Sequence, residues 1–509
     1  MLWIALHLPQ LSLESFIATL PPADPAAGPR AVALVDAQHI CAADDAAQVH
    51  GVQPGMKRAT ALALVPDIVL GQADATRDRQ ALTAVAHAAL AFTPSVTFEG
   101  GDDLPGSAPH TVLLEVQASL RYFGGPALLL QRLQAALAPL GHAAHCASAP
   151  TALGAAWLAR WPEPPHGRHA ADLAGLNRLL DRLPVWLPGP AREHWEALQG
   201  MGLRVLSDLR GLPRSGLARR FGAPLLEAID RARGRRPDPR AWLRLPESFD
   251  SRLELFARAD TTEQVLHGAS LLLARLVAWA GAQHAQVGRF TLHLQHESRH
   301  RAEAGPAEST LEIALAEPSR DIAHLLVLLR ERLARLQLAA PTLELRLSCH
   351  DIVQRAPPHG ELFPTVKSER EGVVRLIERL QARLGPTQVQ RLVPQQDHRP
   401  ECATRAVPVD PAGLGAPPAR VEAADGPRRP VWLLHEPLPL PEHRLHPLLD
   451  GQPLQLLCGP ERIEAGWWDA ALAERDYFIA QGDDGALLWI FRARLPTQGK
   501  GWFLQGRFG

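Results

Sequence analysis

The sequence predicts a multidomain α/β protein, and two patterns carry this prediction. Over the first third of the chain, short apolar runs typical of buried strands alternate with helical patterns. Between residues 248 and 353 the order strand, helix, strand occurs twice in succession, which is typical of a split βαβ sheet. The chain has 509 residues, which is enough for about three or four domains.

The elements of the first third follow from apolar runs and the residues that bound them. Residues 2–8, 31–35 and 111–116 are predicted strands, and residues 58–64, 81–90, 131–137 and 151–160 are predicted helices. Residues 121–125 (RYFGG) predict a turn. The alternation of strands and helices predicts one α/β domain in this part of the chain.

The next segment, residues 183–240, is predicted to be helical and is rich in arginine. Between Arg192 and Arg240 there are eleven arginines against six acidic residues, a local excess of five positive charges. Residues 253–258, 289–294, 309–314 and 342–348 are then predicted strands, with helices at 262–278 and 320–336. This order predicts a small sheet with two helices on one face.

The last part of the chain has mixed character. Val373, Ile377, Leu380 and Leu384 recur at helical spacing, whereas residues 400–430 contain seven prolines and are predicted to form a flexible linker. Five of the twelve tryptophans follow this linker: Trp432, Trp467, Trp468, Trp489 and Trp502. An aromatic-rich terminal unit is either a small β core or a docking surface.

Charge and motif content exclude several function classes. The 53 basic and 54 acidic residues give a net charge of −1, which argues against coating of nucleic acid by charge alone. No CxxC pair, HExxH motif or GxxxxGK[ST] loop occurs, so no metal or cofactor is predicted. Residues 1–16 lack a signal-peptide pattern. We therefore expect the protein in the cytoplasm.

Five segments, in the same order, resemble those of the Y-family translesion DNA polymerases. Residues 2–14 (LWIALHLPQLSLE) match the family's opening FIHIDMDAFFASVE, and residues 51–56 (GVQPGM) match the fingers pattern GVRxGM. Residues 114–124 (LEVQASLRYFG) resemble the palm segment LDVTGSLRLFG. Residues 149–151 resemble the start of APNKLLAK, and residues 188–209 align with the helix-hairpin-helix of the thumb.

This resemblance implies a polymerase-like domain order. The implied parts are a palm (1–20 and 80–170), fingers (21–79), a helical thumb (171–242), a little finger (243–356), a clamp-motif region with a helix and a proline-rich linker (357–430), and a C-terminal partner-binding unit (431–509). The resemblance also implies a site where carboxylates hold two metal ions about 3.5 to 4 Å apart around a nucleoside triphosphate.

The residues that would hold those metals are replaced in this chain. Ala5 and His7 stand where the family has the two aspartates of DMD, and His110 and Thr111 stand for the acids of SIDEA. None of these side chains is a carboxylate, so the resemblance implies an inactive polymerase homologue with no catalytic or metal-binding residue. The alternative is an active translesion polymerase that uses displaced acidic residues, namely Asp102, Asp103 or Glu115.

The family's contacts to the nucleotide are replaced as well. Asp45 and Gln48 stand for the tyrosine and arginine of YEAR, and Ala152 stands for the lysine after APN. Pro9 and Gln10 replace the paired aromatic residues beside the sugar. Because a triphosphate needs cationic donors, these replacements make nucleotide binding unfavourable.

Within the Y family, the pattern resembles the ImuB group, whose members are catalytically degenerate. Residues 6–11 (LHLPQL), 429–434 (RPVWLL) and 466–469 (GWWD) carry this closer resemblance. It implies a scaffold of damage-induced (SOS) mutagenesis that recruits an error-prone C-family DNA polymerase and a RecA-like companion of the ImuA type. A repair factor that binds DNA structures without any polymerase is a further alternative.

Two surfaces are candidates for DNA and clamp binding. Gly189, Arg192, Arg204, Arg219 and Arg220 in the thumb are predicted to contact the DNA backbone without sequence specificity, or else to form a solvated helical face. Residues 359–363 (HGELF) resemble the sliding-clamp peptide QLxLF.

In that peptide His359, Leu362 and Phe363 are the predicted clamp contacts. Alternatively, its two apolar residues anchor a linker. Trp432, Trp467 and Trp468 are the predicted contacts to the partner proteins, as the resemblance of the terminal unit implies.

Overall fold

The computed structural model describes residues 1–22, 28–99, 110–161, 168–297, 307–354, 366–410, 429–494 and 501–508. The chain divides into two compact units, Met1–Thr365 and Val366–Gly509. Residues 359–363, which carry the predicted clamp peptide, lie outside the described residues, as do Asp102 and Asp103.

The first unit begins with an α/β region. Its elements are β1 (Trp3–His7), α1 (Leu11–Ile17), β2 (Val32–Asp36), β3 (His39–Ala43), α2 (Asp45–Val49), α3 (Arg58–Leu64), β4 (Val69–Gly71), α4 (Ala75–Leu90), β5 (Val96–Phe98), β6 (Thr111–Glu115), α5 (Leu120–Phe123), α6 (Pro126–Leu137), β7 (His145–Ala149) and α7 (Ala152–Arg160). The observed mixture of strands and helices confirms the predicted α/β class.

Two sheets organise this region. The N-terminal sheet has the strand order β5-β6-β1-β7 with antiparallel neighbours, and a smaller sheet has the order β3-β2-β4. Side chains alternate across the N-terminal sheet: Ile4 and Leu6 pack with α4 and α6, whereas Trp3 and Ala5 pack with α7. The two faces of β1 therefore belong to two different cores.

A helical segment follows, and it shares the core of α7. Its helices are α8 (Leu173–Asp181), α9 (Gly189–Arg192), α10 (Trp195–Gly200), α11 (Arg214–Phe221) and α12 (Ala223–Ala232), with a 3-10 turn at Asp208–Gly211. Leu176, Leu198, Phe221 and Leu225 are buried together with Trp157 of α7. The segment therefore packs on the face of the N-terminal sheet that carries Ala5.

The middle sheet completes the first unit. It is formed by β8 (Phe249–Ala259), β9 (Ala285–His296), β10 (Glu308–Ser319) and β11 (Thr342–Gln354), with α13 (Thr262–Ala282) after β8 and α14 (Ile322–Leu333) after β10. The strand order is β10-β9-β11-β8. Because α13 packs against α14 and against three of these strands, both helices cover one face, and the predicted split βαβ sheet is confirmed.

Helix α13 is long and apolar. Among the described residues it is the one helix with the length and composition of a membrane span, and 67% of its apolar window is buried inside the protein. Thr261 and Gln264 form a reciprocal capping box at its start. Ala274 and Ala282 lie in the same buried cluster as residues of α4, so α13 also contributes to the core of the N-terminal sheet.

The second unit is built mainly from strands. Its elements are α15 (Val366–Leu384), β12 (Gln390–Pro394), β13 (Thr404–Pro408), β14 (Trp432–Leu440), β15 (Glu442–His443), β16 (His446–Leu449), β17 (Gln452–Pro453), β18 (Gln455–Ala465), β19 (Ala473–Gln481), β20 (Leu487–Ala493) and β21 (Gly501–Arg507). The C-terminal sheet has the order β14-β21-β20-β19-β18. Leu488 and Ile490 face one apolar cluster of this sheet, and Trp489 and Phe491 face another.

One local prediction is wrong, and a second is wrong for the first residues of its segment. The sequence predicts a turn at residues 121–125, but Leu120–Phe123 is one helical turn that Gly124 ends at a φ of 78°. The predicted linker from residue 400 to 430 begins with ordered structure, because Pro400–Cys402 is a 3-10 turn and β13 pairs with β12. Residues 411–428 lie outside the described residues.

Candidate functional site

One end of the N-terminal sheet gathers the residues that replace the family's carboxylates. Ala5 pairs with Leu113 and Ala147, and His7 pairs with Thr111 and His145 on the same two neighbouring strands. Alternation along β1 places His7 on the same face as Ala5, toward α7. The structure therefore brings the predicted positions Ala5, His7 and Thr111 together, with His110 directly before β6.

The polar groups at this end are mainly imidazoles. His7 Nδ1 lies 3.1 Å from Thr111 Oγ1, and the rings of His7 and His145 are 6.3 Å apart. Burial, together with the charges of Arg160, His145 and His110, lowers the pKa of His7 to about 3. Burial also lowers the pKa of His110 and His145. His7 is therefore uncharged near neutral pH.

A buried ion pair stands next to these histidines. Glu99 follows β5, and its backbone N–H donates to the Thr111 carbonyl at 3.0 Å. Its carboxylate lies 3.1 Å from the guanidinium of Arg160 at the end of α7, and each side chain is only 9% exposed. The carboxylate of Glu99 is therefore already paired with a buried cation. Sequence reasoning did not identify Arg160, because no local motif marks a pair separated by so many residues.

The residues present do not fit the metal pair that the family resemblance implies. Such a pair needs converging carboxylates, whereas this end of the sheet offers Ala5, Thr111, a desolvated His7 and a carboxylate bound to arginine. Within the described ranges, no group of three His, Cys, Asp or Glu residues is arranged to hold a metal ion.

The displaced acid Glu115 is far from this end of the sheet. It pairs with Trp3, whereas His7 pairs with Thr111, so the two positions are separated by four residues along the strand. At about 3.3 Å per residue this is roughly 13 Å. Glu115 also accepts a hydrogen bond from the backbone N–H of Gln117 at 3.2 Å. Its position favours a local structural role.

At the positions expected to contact a triphosphate, the side chain either bonds to a nearby residue or lacks a hydrogen-bond donor. The side-chain amide of Gln48 donates to the Ala43 carbonyl at 2.7 Å, and Asp45 is exposed in the first turn of α2. Ala152 is buried at the start of α7. No cationic side chain is therefore contributed by these three positions.

A cavity of about 1040 Å³ lies between this end of the sheet and the helical segment. His7, Glu99, His110 and Arg160 line one side, and Trp186 and Arg192 line the other. Gly189 also borders the cavity, and a side chain at that position would meet no atom within 4 Å. The start of α9 is therefore open to the approach of a ligand backbone.

Ion pairing divides the eleven arginines of the helical segment into two groups. Seven of them contact acidic side chains: Arg210 and Arg233 contact Asp181, Arg214 and Arg235 contact Asp230, Arg231 and Arg236 contact Glu227, and Arg240 contacts Asp238. The other four are Arg192, Arg204, Arg219 and Arg220, which are exposed and form no ion pair with a described residue. These four are the arginines that the sequence predicted for DNA contact.

The predicted partner contacts lie on the surface of the second unit. Trp432 is 70% exposed, Trp467 is 77% exposed and Trp468 is 51% exposed, whereas Trp489 and Trp502 are buried. The aromatic-rich unit therefore has a β core, which was one of the two alternatives, whereas docking through its exposed aromatic side chains stays a prediction.

Comparison with known proteins places the chain in a family. No family model matches it. It is 30% identical to the ImuB proteins of two strains of Caulobacter vibrioides over 492 residues, which is 90% of this chain and 100% of each relative.

Solved structures of polymerases are more distant. A ternary complex of Dbh is 14% identical with a TM-score of 0.37, covering 69% of this chain and 99% of that chain. DinB from Sulfolobus solfataricus is 15% identical with a TM-score of 0.36, covering 69% of this chain and 98% of that chain. On the match to the two ImuB relatives, which covers 90% of this chain and all of each relative, the chain belongs to the ImuB family.

Proposed function

We propose that this protein is a non-catalytic, polymerase-like scaffold in damage-induced mutagenesis and translesion synthesis. One observation carries the proposal: the sheet end that would hold two metals presents Ala5, His7 and Thr111, and the carboxylate of Glu99 beside it is paired with Arg160. An in-line phosphoryl transfer needs carboxylate-held metal ions, and these side chains supply none.

The scaffold holds DNA through the exposed arginines of the helical segment. Arg192, Arg204, Arg219 and Arg220 have no acidic partner among the described residues, so their guanidinium groups remain available for phosphate oxygens. Contacts of this kind position a protein on the DNA backbone without reading its sequence. Membership of the ImuB family supports a role at DNA.

The scaffold recruits three further proteins. The peptide around Leu362 and Phe363 binds the sliding clamp, and the exposed tryptophans of the second unit bind an error-prone C-family DNA polymerase and a RecA-like companion. The family resemblance and the exposure of Trp432, Trp467 and Trp468 support this assignment. The scaffold acts in the cytoplasm, at the nucleoid, as part of the SOS response.

Primer extension tests the absence of catalysis. The purified chain is incubated with primed template, all four deoxynucleotides and either magnesium or manganese, beside an active Y-family polymerase as a positive control. We expect no extension. Template-directed synthesis that disappears when Asp102, Asp103 or Glu115 is changed to alanine would instead assign the active polymerase.

A further inference from the structure

The segment between α12 and β8, which joins the helical segment to the middle sheet, carries an exposed tryptophan. Trp242 stacks on Trp3 of β1, with ring centroids 5.9 Å apart and an angle of 21° between the ring planes. Trp3 is 7% exposed, whereas Trp242 is 44% exposed. One face of the Trp242 indole is therefore covered by a buried ring, and the exposure of this residue places the opposite face at the surface.

The backbone around this tryptophan is held in place. The backbone N–H of Leu243, the next residue, donates to the carbonyl of Val96 in β5 at 2.8 Å. Leu243 and Leu245 also pack against the apolar cluster that contains Ile4 and Leu6 of β1. The indole is therefore preformed on the surface, so a ligand that binds to it does not have to order it first.

A cavity of about 650 Å³ lies beside this tryptophan. Its volume is within the range of about 300 to 1,000 Å³ that is typical of ligand sites. Its described lining includes Arg79, Arg240 and Arg244 but no acidic side chain. Thr83 supplies the one hydroxyl group of that lining, and no amide side chain contributes to it. The cavity therefore favours an anionic ligand and offers few groups that could distinguish one base from another.

Two of the lining arginines differ in their partners. Arg240 is paired with Asp238 at 2.6 Å, so its charge is offset by a neighbouring carboxylate. Arg244 is exposed and forms no ion pair with a described residue. The guanidinium of Arg244 is therefore available to a phosphate, which it can bind through charge-assisted hydrogen bonds.

This cavity is continuous with the surface that is proposed to hold DNA. Residues 240 and 241 line it, and they also line the larger cavity that Arg192 borders. The two cavities thus share a wall of two residues. A DNA strand held at Arg192 has only a short path to Trp242.

We propose that Trp242 and Arg244 bind one nucleotide of single-stranded DNA, with its base stacked on the exposed face of Trp242 and its phosphate at Arg244. Bases of a duplex are already stacked and paired, whereas each base of a single strand has a free face. Stacking on an aromatic ring beside cationic groups holds such a strand without regard to its sequence. This inference rests on the proposed binding of DNA by the helical segment, and it adds a preference for junctions between duplex and single strand.

Three labelled DNA probes test the proposal on the full-length chain. They are a blunt duplex, the same duplex with an oligo-dT tail, and the same duplex with an abasic tail of equal length. The abasic tail keeps the phosphates of the oligo-dT tail but lacks its bases. We expect the oligo-dT tail to strengthen binding by about fivefold or more over the blunt duplex, and the abasic tail to lose most of this gain. Fluorescence anisotropy measures the three affinities.

Four variants assign the gain to residues. Trp242→Ala should abolish it and change binding of the blunt duplex less than twofold, whereas Trp242→Phe keeps a ring and should retain most of it. Tyr122→Ala is the control, because Tyr122 is 84% exposed and lines neither cavity. For the tailed probe, Arg244→Ala should make the slope of log affinity against log salt shallower by about 0.7. The melting temperature shows whether each variant is folded, since Trp242 covers Trp3.

The results that would overturn the proposal are distinguishable. An unchanged gain in folded Trp242→Ala, or no gain in the wild type, would remove the single-strand site but leave duplex binding by the helical segment intact. An abasic tail that binds as tightly as oligo-dT would reject stacking on Trp242. Unchanged tail binding, with weaker binding of the purified C-family polymerase by Trp242→Ala, would make this a protein-docking surface. A wild-type chain that binds no probe would reject the proposed binding of DNA, and this inference with it.

Discussion

Glu99 and Arg160 meet at 3.1 Å at the end of the N-terminal sheet, and both side chains are almost completely buried. Because burial strips both groups of water, either one left alone would be costly. We expect Arg160→Leu to lower the free energy of unfolding by about 3 to 5 kcal/mol.

Urea denaturation measures this decrease, and the double variant Glu99→Leu with Arg160→Leu should recover most of it. Arg231→Leu is the control, since Arg231 pairs with Glu227 on the surface and should cost no more than about 1 kcal/mol. Equal decreases for Arg160→Leu and Arg231→Leu would show that the buried ion pair contributes no more to the free energy of unfolding than the surface pair.

Acid should destabilise the first unit through its buried histidines. Burial lowers the pKa of His87 from 6.5 to about 4, so below pH 6.5 the unfolded chain binds a proton that the folded chain does not. Stability therefore decreases as the pH falls from 6.5 to about 4, by about 1.4 kcal/mol per pH unit at most for this residue. His7 adds a similar decrease that continues to about pH 3.

In the variant His87→Leu, the slope of the free energy of unfolding against pH should decrease by up to the equivalent of one bound proton. Urea denaturation between pH 7 and pH 4 measures this slope. His50→Gln, at an exposed position, is the control and should leave the slope unchanged. A slope that is the same in both variants would contradict the assignment to His87.

The exposed arginines should determine the salt dependence of DNA binding. Arg204→Ala and Arg219→Ala should weaken binding of a duplex regardless of its sequence. For each phosphate that an arginine no longer neutralises, the slope of log affinity against log salt should become shallower by about 0.9. Fluorescence anisotropy with a labelled duplex at several salt concentrations measures this slope.

Arg231 and Arg236 provide matched controls, since their side chains are 42% and 53% exposed but paired with Glu227. Their replacement by alanine should leave the slope nearly unchanged. If all four variants behave alike, the arginines form a solvated helical face, and the DNA-binding surface lies elsewhere.

The clamp peptide should depend on its two apolar residues. Leu362→Ala together with Phe363→Ala should weaken binding of the purified clamp by about 2 kcal/mol or more, because such anchors fill an apolar pocket. Surface plasmon resonance measures the affinity. Leu392→Ala removes another exposed leucine and should have no effect. Unchanged clamp binding in the double variant would move the clamp-binding site to another segment.

The sequence predicted the helices and strands better than it predicted the side-chain contacts between distant parts of the chain. The apolar run at residues 2–8 and the βαβ order after residue 248 predicted β1 and the middle sheet, because periodicity is a local property. The pairing of Arg233 with Asp181 joins residues 52 positions apart. No local pattern could therefore separate the paired arginines from those that have no acidic partner among the described residues.

The same limit explains why the linker prediction fails for residues 400–408. Proline content suggested flexibility from residue 400 onward, but Thr404–Pro408 pairs with Gln390–Pro394, and Arg399 is fixed by Asp469, 70 positions later. Ordering of this segment depends on partners that are distant in sequence. The end of the N-terminal sheet shows the opposite case, since Ala5, His7 and Thr111 were identified from the sequence and lie together in the structure.

Helix α13 belongs to two cores at once. Leu272 and Leu276 are buried in the middle of this helix, and Ala274 and Ala282 close the cluster that also contains Val85 of α4. Because both cores contain residues of α13, unfolding of either sheet would expose part of the other sheet's core to solvent. In a calorimeter the N-terminal and middle sheets should therefore melt as one cooperative block with a single heat-absorption peak.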